Sequence, residues 1–425
     1  MGCEVFQQWR GGADFGDDGR MATVAIYKPG RVLSVDVLRG MTIALMILVN
    51  DPGDWSHTFT QLDHAPWNGW TLTDLVFPTF LFLVGASIVF SMEARAAKGD
   101  CRKTQLGHVW IRFVKLAVLA WALGFFPRMH WTMRIYGVLM RIALCYLIGA
   151  MILLAVSNLK STAARVRVLA GLVVVILVGY WAVLRFAKIP GAGHPGVDFG
   201  FMDPMWNMTA YLDRQISGWM LAHLKTGKLY QGTRDPEGGL STIPAVGSVL
   251  IGALVGMWMR SEEWKDAANR SGLRAAMLWG GAVLFAAGEI WGRTFPVNKN
   301  LWTSTFVLVG AGIATMLLAL LSWLVDWREG VWPGWLRAVT WPWFVFGSNA
   351  IAAFTFSIVL VKTLLYFHGK DVGGKPRTLW WHAYYDVFAR STSNEWTSLA
   401  FAICFVIVCF VPVWVLWRKK IFLKM

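Results

Sequence analysis

Residues 72–92 read LTDLVFPTFLFLVGASIVFSM, with Asp74 as their only charge. At 1.5 Å per residue a helix of this length spans about 30 Å, the thickness of a bilayer's hydrocarbon core. Comparable apolar runs recur at about 32–50, 109–126, 135–156, 166–187, 241–259, 272–292, 301–325, 338–362 and 397–417. Hydrophobic residues make up 56% of the 425 and charged residues only 15%, and the mean hydropathy is +0.49. That leaves too little polar surface to cover a water-soluble domain. The fold class is therefore an all-α integral membrane protein with about ten transmembrane helices. The 26 Trp and 26 Phe suit rings placed at two membrane–water boundaries.

The net charge of +15 lies in short loops between the apolar runs, which argues topology and no nucleic-acid groove. One set of segments carries Lys28 and Arg31; Arg95, Lys98, Arg102 and Lys103; Lys160, Arg165 and Arg167; Arg260, Lys265 and Arg270; Arg328 and Arg337; and Arg418, Lys419 and Lys420. These alternate with the remaining segments, so the positive-inside rule places them, and both termini, in the cytoplasm. A cytoplasmic (inner) membrane location is expected. Residues 1–28 are polar and rich in Gly and Asp, without the apolar core of a signal peptide. They read as a disordered cytoplasmic tail, with Met21 as an alternative start, ahead of a single membrane domain over 29–425. Cys145, Cys404 and Cys409 fall in apolar runs, and Cys3 and Cys101 in cytoplasmic segments, so no structural disulfide is expected.

Three outside segments, about 51–71, 188–240 and 363–396, are long enough to carry function. Within the second, the apolar positions of Met205–Leu212 recur at helical spacing, as in a helix lying on the bilayer. Gly252 and Gly256 form a GxxxG pair, read as helix packing.

Polar groups at membrane depth are costly, which makes them the candidates for chemistry. Arg39, inside the first helix, has Asp36 at i−3 as an ion-pair partner, and Asn50 sits at the outer end of the same helix. In Leu62–Pro78, His64 at the outer mouth of the bundle can serve as a general base near neutral pH, or be a solvated loop residue. Asp74 is either a charge at a helix N-terminus or the carboxylate that orients His64. His57, Asp63 and His64 lack metal-ligand spacing, and no metal is expected. Arg134 and Arg141 are seven apart, on one face if both are helical, with Arg141 about 10 Å deeper and in need of an acidic partner or a polyanionic ligand. Lys299 and Asn300 lie at an outer boundary, and Asn349 is placed inside the ninth span, where its amide needs a partner.

Several of these stretches together resemble a known family, the transmembrane acetyltransferases typified by lysosomal heparan-α-glucosaminide N-acetyltransferase. The likeness rests on Asp36-x-Leu38-Arg39-Gly40, Val49-Asn50, His64-Ala65-x-Trp67-Asn68-Gly69 and Asp74–Pro78, and continues through Arg134–Arg141, Asp235–Gly238, Pro296–Trp302 and Trp341–Asn349. It covers nearly all of the chain from about residue 31, and looks like a bacterial form without the lumenal domain of the animal enzyme. The resemblance implies that His64 is the active-site histidine, Asn50 an active-site asparagine beside it and acetyl-CoA the cosubstrate. The acetyl group would pass from cytoplasmic acetyl-CoA to an amino-sugar or glycan acceptor on the far side of the bilayer, in a protein expected to be a homodimer. Catalytic candidates are then His64, Asn50 and Asp74. Cofactor-binding candidates are Arg39, Arg134, Arg141, Lys299, Asn300 and Asn349. A membrane O-acyltransferase that carries a His eleven residues after the first-helix Arg is a poorer match, because Asn50 stands at that distance from Arg39. A sugar or lipid-linked sugar transporter is the competing class.

Overall fold

The computed structural model describes residues 32–230, 232–266, 268–326, 333–371 and 373–423. The expected tail over 1–28, with Cys3 and Lys28, and also Arg31 and Arg328, lie outside the described residues.

Fourteen helices are formed among the described residues. In chain order they are α1 (Leu33–Asn50), α2 (Leu72–Ala96), α3 (Arg102–Phe125), α4 (Val138–Val156), α5 (Thr162–Phe186), α6 (Met208–Leu224) and α7 (Thr242–Trp258), then α8 (Glu262–Lys265), α9 (Arg270–Gly292), α10 (Ser304–Val325), α11 (Gly334–Ser348), α12 (Ala350–Tyr366), α13 (Leu379–Tyr385) and α14 (Glu395–Arg418). Eight of these are long and apolar enough to cross a membrane, and the bent pair α11–α12 counts as a ninth span. The shorter apolar α7 occupies the remaining apolar run. In lipid the backbone has no water to bond to, so each run closes its own hydrogen bonds as a helix. The result is an all-α multi-spanning membrane protein.

The connections gather at two ends of the bundle. At the cation-rich end the Asp326 carboxylate accepts the backbone N–H groups of Leu33 (3.0 Å) and Ser34 (3.2 Å), satisfying two orphan donors of α1. At the other end Trp67 Nε1 donates to Met202 O (2.9 Å), Trp380 Nε1 to Gly53 O (3.2 Å) and Trp131 Nε1 to Leu224 O (2.8 Å). These bonds tie outside segments only to outside segments, as the charge alternation requires.

Two contacts position the interior. Glycines let α2 and α7 meet backbone to backbone: a methyl group on Gly252 would stand 1.9 Å from Phe82 O, and one on Gly85 1.9 Å from Val249 O. The GxxxG pair is thus the α2–α7 seam. Gly252→Ala is expected to lower stability by about 1–3 kcal/mol through overpacking against a backbone that cannot yield. Gly171→Ala on lipid-facing α5, where an added methyl meets nothing within 4 Å, is the control. Equal melting midpoints for the two variants in detergent would contradict this reading of the seam.

The second contact lies between α1 and α11, where a methyl on Gly40 would stand 1.6 Å from Trp343 O and one on Gly347 2.0 Å from Asp36 O. Just beyond, the expected ninth helix is not continuous: α11 and α12 meet at 79°. Asn349 lies at the break, and the chain's C-terminal segment supplies its partners: Nδ2 donates to Ile421 O (3.0 Å) and Oδ1 accepts from Leu423 N (2.9 Å).

The fourth span also differs from expectation. Gly137, at φ 155°, a conformation open to glycine, precedes α4, so Arg134 lies in the loop ahead of the helix and Arg141 in its first turn. The two arginines therefore do not share a helical face. In the outside segments, α6 is longer than the expected interfacial helix, and a two-stranded hairpin pairs β1 (His368–Lys370) with β2 (Pro376–Thr378).

Candidate active site

The first turn of α2 builds the centre of the site. Thr71 is the N-cap and Asp74 closes a capping box. Asp74 Oδ2 accepts the backbone N–H groups of Thr71 (3.1 Å) and Ala65 (3.0 Å). Its Oδ1 is left for His64 Nδ1, at 2.8 Å. The two roles open to Asp74 in the sequence are thus filled at once, one by each oxygen. Asp74 is 1% exposed and the His64 side chain is half exposed, so a rigid carboxylate holds an accessible imidazole. With Nδ1 bonded to Asp74, Nε2 is the nitrogen free to take a proton.

A third group comes from far along the chain. Asn298 Nδ2 donates to Trp67 O (2.8 Å) and Gly69 N donates to Val297 O (2.7 Å), which staples the α9–α10 loop to the His64 loop. This carries Lys299 Nζ to 3.3 Å from Asp74 Oδ1, 3.0 Å from His64 Nδ1 and 3.4 Å from His64 Nε2. Burial pulls the ammonium below the usual lysine range, against the opposing pull of Asp74.

His64, Asp74, Lys299, Asn300 and Asn50 all line one cavity of about 440 Å³ at the outer end. Asn50 is the last residue of α1, exposed, and its amide makes no side-chain hydrogen bond among the described residues. The opposite wall is the α6–α7 loop. There Asp235 takes a two-pronged grip on Arg134, Nε to Oδ2 at 2.6 Å and Nη2 to Oδ1 at 2.5 Å, and Glu237 is the second partner. Although burial alone lowers it, the two carboxylates hold the Arg134 guanidinium above the usual arginine range. Arg234, stacked 4.3 Å over Trp67, completes that wall.

A second cavity, of about 530 Å³, opens at the cation-rich end between α1, α2, α3 and α4. Arg39 lines it, with Nη1 on Asp36 Oδ1 (2.9 Å) and Nη2 on Ser87 Oγ (2.7 Å). Arg95, His108, Arg112 and Lys115 add positive or protonatable groups. The Arg112 guanidinium lies 4.5 Å over the Tyr146 ring, and its buried Nε has no partner among the described residues. Sequence reasoning missed His108, Arg112 and Lys115. The available signal was their spacing of four and three within a run read as a plain membrane span.

The two cavities share the walls α1, α2 and α4. Along α2, Thr73, Val76 and Phe77 line the outer one, and Phe80, Leu83 and Ser87 the inner one. Phe77 and Phe80 are three residues apart, a rise of about 4.5 Å. Along α2 the linings of the two cavities thus come within one helical turn of each other.

Two expected ligand groups lie in neither cavity. Arg141, 1% exposed, donates from Nη2 to Gly238 O (3.2 Å) and to Ser241 Oγ, and lies 5.0 Å over Trp302. Through Nη2 it pins the α6–α7 loop, while its Nε and Nη1 have no hydrogen-bond partner and no acid pairs with it among the described residues. Asn349 holds the C-terminal segment. Among the described residues no group of three or more His, Cys, Asp or Glu is placed to hold a metal ion.

Residues 31–199 match the family model described as heparan-α-glucosaminide N-acetyltransferase, catalytic. The human protein named heparan-α-glucosaminide N-acetyltransferase is 29% identical over 361 residues, 77% of this chain and 52% of its own length. The mouse protein of that name is 27% identical over 357 residues, 76% of this chain and 53% of its own length. The chain thus spans about half the length of the curated relatives it matches. The matched region holds His64, Asp74, Arg39 and Arg112, and over about three quarters of its length the chain is similar in sequence to the heparan-α-glucosaminide N-acetyltransferases.

Proposed function

We propose that this protein takes an acetyl group from acetyl-CoA at its cytoplasmic face and passes it to the amine of an amino sugar on the opposite face. The observation that carries the reading is the pair of cavities whose linings come within a helical turn of each other on α2, at Phe77 and Phe80, one cationic, the other holding a base. CoA is too large and too charged to cross a bilayer, so a bundle open at both ends lets only the acyl group through. The positive-inside rule assigns the cation-rich end to the cytoplasm, and in a bacterial cell the membrane would be the inner one.

The inner cavity suits the phosphates of CoA. Arg112, whose Nε lacks a partner, and Lys115 would meet them, with Arg39 deeper along the path. Acetyl-CoA supplies an activated thioester carbonyl at the junction of the cavities. From the outer cavity the acceptor amine attacks that carbonyl. The carbon–sulfur bond breaks, the thiolate departs toward the cytoplasm, and the amine proton passes to His64 Nε2. Asp74 holds Nδ1 and would steady the imidazolium, and the Asn50 amide would donate to the oxyanion. A two-step route, with the acetyl group first on His64, uses the same residues.

The direct test supplies acetyl-labelled acetyl-CoA and a panel of amino sugars to purified protein. The reading expects label on the sugar amine, and Arg112→Gln to raise the KM for acetyl-CoA by about 10- to 100-fold, the loss of a charge-assisted contact worth about 1.5–3 kcal/mol. Sugar movement into vesicles without any acetylation would replace the enzyme with a transporter.

A further inference from the structure

We propose that Lys299 is a positioning residue that keeps His64 in its neutral, proton-accepting form by offsetting the charge of Asp74. The inference rests on the acetyltransfer reading above and adds a residue that tunes its base.

An aspartate bonded to a histidine stabilises the imidazolium and raises the histidine's basicity. Asp74 is 1% exposed and contacts Nδ1 at 2.8 Å, so its pull on His64 acts at contact distance from a carboxylate shielded from solvent. Left unopposed, that contact favours the charged ring over the neutral one, and a protonated imidazole cannot take the acceptor's proton. Lys299 Nζ, at 3.3 Å from the same Asp74 oxygen and within 3.4 Å of both ring nitrogens, opposes that pull. It acts twice, by sharing the carboxylate and by disfavouring a second positive charge on the ring.

The other charges around the imidazole do not supply this effect. Asp63, on the same loop, uses its carboxylate on the His64 backbone N–H at 2.7 Å. Across the cavity, Arg134 is matched by Asp235 and Glu237, and Arg234 sits over Trp67. Tyr230, the remaining titratable group on that wall, lies under Arg134 at 4.7 Å. The arrangement also accounts for a partly buried ammonium beside the imidazole. Its place is fixed by the Asn298 staple rather than by the ligand.

The test is a titration of His64 itself, followed by NMR of protein carrying ¹³C-labelled histidine, with the His64 signal identified by its loss in His64→Gln. Lys299→Met is expected to move the His64 titration midpoint up by about one pH unit, and Lys299→Arg to restore it. In the transfer assay the acid limb of kcat/KM moves by the same amount. The Lys299→Met rate then falls up to about tenfold below the limb and recovers above it. A midpoint unmoved in Lys299→Met, or a rate reduced equally at every pH, overturns the proposal. The NMR titration needs no turnover. Failure of the wild-type protein to acetylate any amine would therefore sink the functional reading while leaving the Lys299 inference separately decided.

Discussion

His64→Gln lowers kcat for acetyl transfer by about 10²- to 10⁴-fold, the range that a positioned general base supplies. The substituted protein keeps its fold. The His64 side chain is half exposed, and its imidazole has one acidic partner, Asp74 Oδ1. Two backbone N–H groups continue to satisfy Asp74 Oδ2. The melting midpoint in detergent should therefore shift by the equivalent of about 1 kcal/mol or less, which separates lost chemistry from lost structure. Acid quenching of the wild-type protein with labelled acetyl-CoA and no acceptor then distinguishes the two routes. Label left on the protein and absent from His64→Gln would establish the acetyl-histidine route, and an unlabelled protein that still acetylates sugars would establish direct transfer. Near-wild-type turnover by His64→Gln would remove this histidine from the mechanism altogether.

The membrane fold was legible because its signal is local: each span is a run of one composition and each loop carries its own charge. The break at Asn349 was not. It depends on where Gly40 and Gly347 let α1 and α11 touch, and on a C-terminal segment 72 residues away in the chain that satisfies the buried amide. Gly137 offered a local warning that α4 begins after it, yet a glycine between apolar residues is equally at home inside a membrane helix. In the site, His64 and Asp74 are ten residues apart, close enough for their pairing to be entertained from the sequence, and the capping geometry shows how Asp74 fills both roles. Lys299 is 235 residues from His64, and its position follows from the Asn298 staple, which no periodicity encodes. The apolar run at 109–126 masked Arg112 and Lys115 because composition averages over a window, whereas one guanidinium nitrogen without a partner is a property of a single position.

Asp235→Asn is expected to destabilise the protein by about 3–5 kcal/mol, the cost of removing one partner from a buried ion pair. Asp235 is 1% exposed and grips Arg134 through both oxygens, and Arg134 lies 4.7 Å over Tyr230 with Glu237 as its second acid. An asparagine presents one acceptor and one donor to a guanidinium that only donates, so one prong is lost and the other faces a like group. A neighbouring acid feels a smaller effect of opposite sign, because losing the Asp235 charge relieves Asp213. Asp213 Oδ2 accepts the Asp235 backbone N–H at 3.2 Å, and burial, reinforced by the neighbouring Asp235 charge, already pushes the Asp213 carboxyl up to about 7. Residues 234, 236 and 237 of this loop line the outer cavity, so kcat/KM should fall together with stability. The double variant Arg134→Met/Asp235→Leu separates the two consequences. With that pair gone, Glu237 is the one group that loses its partner, and stability should recover above that of Asp235→Asn. Activity should not recover, because Glu237 has then lost the arginine that holds it at the cavity wall. Chemical denaturation of the detergent-solubilised variants, beside their transfer kinetics, makes the measurement. An Asp235→Asn protein as stable as the parent would mean that the Arg134 pair is not what anchors the outer wall of the site.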